Sequence, residues 1–214
     1  MAGNPDLIRI GTRASELALR QARHVQAALE ARGVDAELVT YKTAGDKRID
    51  EPLSAIGAKG LFTKELERAL RTGKVACCVH SLKDLPTESP EGVVIAAILE
   101  REDPRDALIV NDSLGVSSID ELPRGSRVGT SSLRRRALLL ARRSDLEVVD
   151  LRGNVPTRLR KVDDGQVHAA ILAVAGLNRL GVHQRVDEVL DPPAWLPAAG
   201  QGAIAVQARE DDTR

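Results

Sequence analysis

The 214-residue chain is short of aromatic residues, of cysteine and of net charge, and each shortage removes a class of function. Tyr41, Phe62 and Trp195 are its three aromatics, too few for the stacking platforms that hold single-stranded nucleic acid. Lys+Arg and Asp+Glu balance at 31 each, which by itself says nothing about an anionic partner; with three aromatics and a neutral chain, no nucleic acid partner is expected. No apolar run approaches the roughly 18 residues of a membrane span. The opening residues Met1 to Asp6 lack a basic start and an apolar stretch, so no signal peptide is expected and a cytoplasmic location is the default. The two cysteines, Cys77 and Cys78, are adjacent. Neighbours on a strand point to opposite faces, so they suit neither a metal pair nor a disulfide and read as small core residues. No metal site is expected.

What is present is an alternation of strand and helix signals. Leu7–Ile10 reads as a strand ending at Gly11, and Ser15 can cap a helix over Glu16–Arg32 that Gly33 stops. Glu37–Tyr41 is a strand and Ala44–Lys59 a loop. Lys64–Thr72 is a helix, and Val75–His80 and Val93–Ile98 are strands around a proline-bearing loop, Ser81–Pro90. The pattern restarts after Asp103-Pro104. It gives strands at Ala107–Val110, Ser126–Gly129, Glu147–Leu151 and Ala169–Val174. Between them lie a short turn of helix at Asp120–Leu122 and helices at Ser132–Arg143, Thr157–Asp164 and Gly176–Leu180. The helix Ser132–Arg143 carries an apolar stripe at Leu133, Ala137, Leu140 and Ala141. A last strand, Ala203–Val206, follows Trp195–Ala199. This alternation predicts an α/β fold of two similar domains with mostly parallel sheets and a cleft between them. The expected division is residues 1–100 plus 201–214 for domain 1 and residues 104–197 for domain 2.

Three places share one design, in which a strand ends, a small polar turn follows and a helix opens. They are Gly11-Thr12-Arg13-Ala14-Ser15, Gly129-Thr130-Ser131-Ser132-Leu133-Arg134-Arg135 and Arg152-Gly153-Asn154. A helix N-terminus offers unpaired N–H groups and the positive end of a dipole, and an arginine in the same turn adds a fork for a carboxylate. One such turn is ordinary capping; three, each with arginine, point to an anion site at the carboxyl ends of the strands. A fourth feature is His80-Ser81-Leu82-Lys83-Asp84-Leu85-Pro86, where a carboxylate follows a buried strand. It reads either as a salt-bridged surface loop or as a proton-exchanging group.

These blocks, with Gly60-Leu61-Phe62-Thr63-Lys64-Glu65-Leu66-Glu67, Arg101-Glu102-Asp103-Pro104-Arg105-Asp106-Ala107, Ile171-Leu172-Ala173-Val174-Ala175-Gly176-Leu177 and Gly200-Gln201-Gly202-Ala203, resemble the porphobilinogen deaminase (hydroxymethylbilane synthase) family, in order from about Ile8 to the end. The resemblance implies a fold like the type II periplasmic binding proteins. It implies a transferase of tetrapyrrole and heme biosynthesis that joins four porphobilinogen units with loss of ammonia to give hydroxymethylbilane. It implies carboxylate contacts from Arg13, Ser15, Arg134, Arg135, Arg152, Arg158 and Arg179, with Lys59, Lys83, Thr130 and Ser132 as secondary contacts. Asp84 would be the catalytic carboxylate, assisting ammonia loss and stabilising a cationic pyrrole intermediate. Porphobilinogen and its linear oligomers would be the partners of a monomeric chain. The family cofactor is dipyrromethane, held by a cysteine of a third domain that these residues do not include. The expectation is therefore an inactive or weakly active piece of the enzyme.

The chain departs from the family pattern at Ala76, where the family has an acid, and at Cys77 and Cys78, where it has apolar residues. The competing reading is an anionic solute-binding module of the same fold without catalysis; the Lys83-Asp84 motif counts against it.

Overall fold

The computed structural model describes residues 7–43 and 63–213, which divide into two compact units. Residues 102–202 form unit 2, and the remaining described residues form unit 1. The expected loop Ala44–Lys59, and with it Lys59, lies outside the described residues.

In unit 1, β1 (Ile8–Arg13) pairs in parallel with β2 (Ala36–Tyr41) and β3 (Cys77–Ser81). β10 (Ile204–Arg209) runs antiparallel between β3 and β4 (Val93–Ile98), giving the order β2-β1-β3-β10-β4. Helices α1 (Glu16–Glu30) and α2 (Lys64–Arg71) pack against this sheet. The adjacent cysteines do point to opposite faces. Cys77 joins Ile10, Ala22 and Val25 in one cluster, and Cys78 joins Leu66 and Leu70 in the other.

Unit 2 repeats the plan. β6 (Arg127–Gly129) pairs in parallel with β7 (Glu147–Val149) and β8 (Ala169–Ala173). β5 (Asp106–Val110) runs antiparallel between β8 and β9 (Glu188–Leu190), giving the order β7-β6-β8-β5-β9. β5 is buried throughout, and its residues alternate between cores. Leu108 and Val110 pack with Leu139 and Ile171; Ala107 and Ile109 pack with Leu159 and Leu177. Helices α3 (Leu133–Arg142), α4 (Val155–Asp163) and α5 (Val174–Leu180) complete the unit.

The expected α/β sheets are present: in each, four strands run the same way and one, β10 or β5, runs against both neighbours, which makes two of the four ladders antiparallel. Two expectations change. Asp120–Leu122 is an irregular turn, and the short helical turn sits earlier, at Asp112–Leu114, capped by Asn111. The apolar stripe chosen for α3 does not face the core. Leu133 is 81% exposed and Ala137 and Ala141 are exposed, while the buried positions are Arg135 and Leu139.

α4 opens two residues earlier than expected because Asn154 caps it, accepting from the Thr157 N–H at 2.9 Å, with proline in its first turn. The preceding Gly153 lies at φ +115°, a region L side chains avoid, and turns the chain from β7 into α4.

Candidate functional site

In each unit the parallel strands end at one edge, so the residues after them gather there. In unit 1 that edge carries Arg13 at the end of β1, Ser15 at the start of α1, and the turn after β3. Gly11 is paired with Cys78 between β1 and β3 and leaves room for that side chain: a Cβ there would meet Cys78 Sγ at 2.8 Å. Thr12 is buried and donates to the Ala18 carbonyl at 3.2 Å, tying the end of β1 to α1. Ser15 caps α1 by accepting from the Ala18 N–H at 3.4 Å, which leaves its own hydroxyl hydrogen as a donor.

The turn Leu82–Asp84 is fixed from both sides. The buried Gln21 donates to Ser81 Oγ at 2.9 Å, and the Leu82 N–H donates to the Ala203 carbonyl at 3.0 Å. Lys83 and Asp84 are exposed beyond these anchors. His80, just before the turn, is buried. Burial, reinforced by the Arg13 charge, pushes its imidazole down to about 4. The unfolded chain therefore takes up a proton near pH 6.5 that the folded chain refuses until about pH 4. The His80 contribution to folding stability is fully present above pH 6.5 and is lost, by about 3 kcal/mol, on acidification to pH 4. Urea unfolding of His80→Gln across this range should show that slope flattened; an unchanged slope would place the titration elsewhere.

In unit 2 the edge gathers the ends of β6, β7 and β8 and the starts of α3, α4 and α5. Gly129 permits the close approach of two turns, since a Cβ would meet Leu151 Cδ2 at 2.8 Å, and Ser131 Oγ joins them by donating to the Leu151 carbonyl at 3.2 Å. Thr130 is buried and its hydroxyl accepts from the Ser132 N–H at 3.2 Å. Ser132 caps α3 by accepting from the Arg135 N–H at 3.4 Å. Arg152 is half-buried after β7. Arg158, on α4, donates Nε to the Gly153 carbonyl at 2.8 Å. Arg179, on α5, donates to the Gly202 carbonyl at 2.7 Å, and desolvation lowers its guanidinium below the usual arginine range.

The tandem arginines of α3 part company. Arg135 is buried, and both of its Nη atoms serve protein acceptors: Ile171 O at 2.9 Å and Asp106 Oδ1 at 2.7 Å. Arg134 is partly exposed and reaches Asp106 Oδ2 at 2.7 Å and Leu196 O at 2.6 Å through Nη1. Asp106 is the residue that reading the sequence did not single out. It starts β5, is fully buried, and also accepts from Trp195 Nε1 at 2.9 Å and Gln201 Nε2 at 2.8 Å. Burial alone would raise its carboxyl, but the Arg135 charge and the bonds from Arg135, Arg134 and Gln201 hold it far below the usual carboxylate range. A signal did exist in the sequence, an acid opening an otherwise apolar strand, but its partners lie 28 to 95 residues away.

The Arg142-Arg143 cluster is structural. Arg142 pairs with Asp120 and Glu188, and Arg143 with Asp145 and the carbonyls of Ile119, Asp120 and Leu122. Both cysteines are free and buried. Burial, with Asp212 nearby, pushes the Cys77 thiol up to about 11, and burial raises Cys78 further. Neither presents a thiolate at neutral pH. Among the described residues no group of acids, histidines and cysteines could hold a metal, and no helix is long and apolar enough to cross a membrane.

Residues 8–214 match the family described as "Porphobilinogen deaminase, dipyromethane cofactor binding domain". The porphobilinogen deaminase of Xanthomonas euvesicatoria pv. vesicatoria (strain 85-10) is 54% identical over 97% of this chain and 68% of its own length. That of Acidithiobacillus ferrooxidans (strain ATCC 53993 / BNL-5-31) is 54% identical over 98% and 68%. Among solved structures, the methionine binding protein MetQ aligns with TM-score 0.59 and 18% identity over 97% of this chain and 85% of its own. A periplasmic substrate-binding protein of an ABC transporter from Coxiella burnetii aligns with TM-score 0.55 and 16% identity, over 96% and 86%. The two mixed α/β sheets thus have the fold of type II periplasmic binding proteins.

Proposed function

The chain belongs to the porphobilinogen deaminase family, and from that premise we propose that its arginine- and hydroxyl-bearing edges bind the carboxylates of pyrroles while Asp84 serves their chemistry. The family reaction joins four porphobilinogen units, releases ammonia and yields hydroxymethylbilane, a transferase step of tetrapyrrole and heme biosynthesis. Each porphobilinogen carries an acetate and a propionate, so the growing chain is a polyanion. One observation carries the reading: three parallel strands of unit 2 run into helix starts at a single edge, with Ser132 capping α3, Arg134 in its first turn, Arg152 just after β7 and Arg158 near the start of α4. Cationic forks and helix N-termini are the donor set that carboxylates require. Thr130 belongs to the same edge, and Arg13, Ser15 and Lys83 to that of unit 1; Arg179, in the last turn of α5, stays in the proposal from the family resemblance. Lys59 remains in the proposal from the family resemblance alone.

The same donor set suits a dipyrrole bearing four carboxylates. Dipyrromethane, the family's cofactor, supplies when bound the pyrrole terminus from which the product is extended. Asp84 acts on porphobilinogen. As the aminomethyl C–N bond breaks and ammonia leaves, its carboxylate offsets the positive charge spreading over the pyrrole. Once the new C–C bond forms, it receives the proton lost from the attacked ring carbon. A monomer working in the cytoplasm, without membrane or nucleic acid, is part of the same proposal and rests on the family's biosynthetic role.

Calorimetric titration of porphobilinogen into the chain tests this reading. Binding is expected, and Arg152→Ala should weaken it tenfold or more, the worth of a charge-assisted bond to a carboxylate. Absence of binding, or binding indifferent to Arg152, would count against it. Preference for a free amino acid over the pyrrole would favour a transport-type solute module instead.

A further inference from the structure

We infer that Asp106 is a positioning residue for anion binding: its buried carboxylate fixes the guanidinium of Arg134 at the edge of unit 2. This rests on the function proposed above and extends it to a residue that touches no substrate.

Asp106 is fully buried and the Arg134 side chain is 26% exposed, so the pair spans interior and surface. Arg134 makes both of its structural bonds through one nitrogen, Nη1, to Asp106 Oδ2 and Leu196 O. Among the described residues no acceptor takes its Nε or Nη2, and that side of the fork matches a carboxylate. Arg135 differs, since both of its Nη atoms are consumed inside the unit. The two neighbours therefore divide the work: Arg135 holds Asp106, and Asp106 holds Arg134. Trp195 and Gln201 add two neutral donors that lock the carboxylate itself. A long side chain anchored in this way has already lost most of its rotamer freedom, so binding an anion costs less ordering. Two guanidinium charges and one carboxylate also leave a single positive charge, matched to one acidic group of the ligand.

Porphobilinogen binding, measured by calorimetry, is compared for the wild type, Asp106→Asn, Arg134→Ala and the double variant. Asp106→Asn is expected to weaken binding about fivefold, the cost of ordering one long side chain on association. In the Arg134→Ala background the same change should alter affinity less than about twofold, because Asp106 acts through Arg134. Unchanged or tighter binding by Asp106→Asn would overturn the inference, as would an equal loss in the absence of Arg134, which marks general structural damage. If the wild type itself binds no porphobilinogen, the proposed function falls and the inference with it; wild-type binding with an indifferent Asp106→Asn overturns the inference alone. Should Asp106→Asn not fold, Trp195→Phe removes one neutral donor from Asp106 and keeps an aromatic ring in the core. It should weaken binding about twofold, and only when Arg134 is present; no weakening would overturn the inference.

Discussion

Asp84→Asn is expected to lower hydroxymethylbilane formation by a hundredfold or more while leaving the unfolding midpoint unchanged. A positioned carboxylate that stabilises a developing cation and then takes up a proton contributes about 10²–10⁴ in rate, and asparagine can do neither. Stability should hardly move, because Asp84 is exposed and its turn is anchored by other residues: Gln21 on Ser81 and Ala203 on Leu82. Steady-state kinetics of hydroxymethylbilane formation, with denaturant titration of the same preparation, separates the two effects. Turnover within a few fold of the parent would remove Asp84 from the chemistry.

The largest effect on folding is expected at Asp106. Asp106→Ala strands the guanidinium of Arg135, which is 6% exposed, and deprives Trp195 and Gln201 of an acceptor. Removing one partner of a buried ion pair typically costs about 3–5 kcal/mol, against a total stability of about 5–15 kcal/mol for a domain. Unit 2 should therefore unfold at markedly lower urea. Trp195, the one tryptophan of the chain and itself bonded to Asp106, reports the transition by fluorescence. A shift below about 1 kcal/mol would mean that water or rearranged side chains replace the carboxylate. The folded carboxyl lies far below the usual range, so its contribution is present above pH 4 and is lost as acid protonates it in the folded state. Acid unfolding of the wild type should reflect this, and the alanine variant should lack that component.

The order of strands and helices, the small polar turns where they meet, and the family were all legible in the sequence. These are local properties: Ser15 and Ser132, for example, cap the helices that directly follow them. The turn carrying Asp84 was equally legible, since it follows a buried strand and precedes a proline. Only the tertiary structure decided the direction of β5 and β10. An apolar run reads the same whether its partner is parallel or antiparallel, and those pairings join segments as far apart as Ser81 and Ile204. The inward face of α3 was decided the same way. Periodicity chose its apolar residues, but the core holds Arg135, because a carboxylate from a strand 29 residues earlier in the chain meets it there. A buried charge is stable only beside its partner, and no local pattern says where that partner will be.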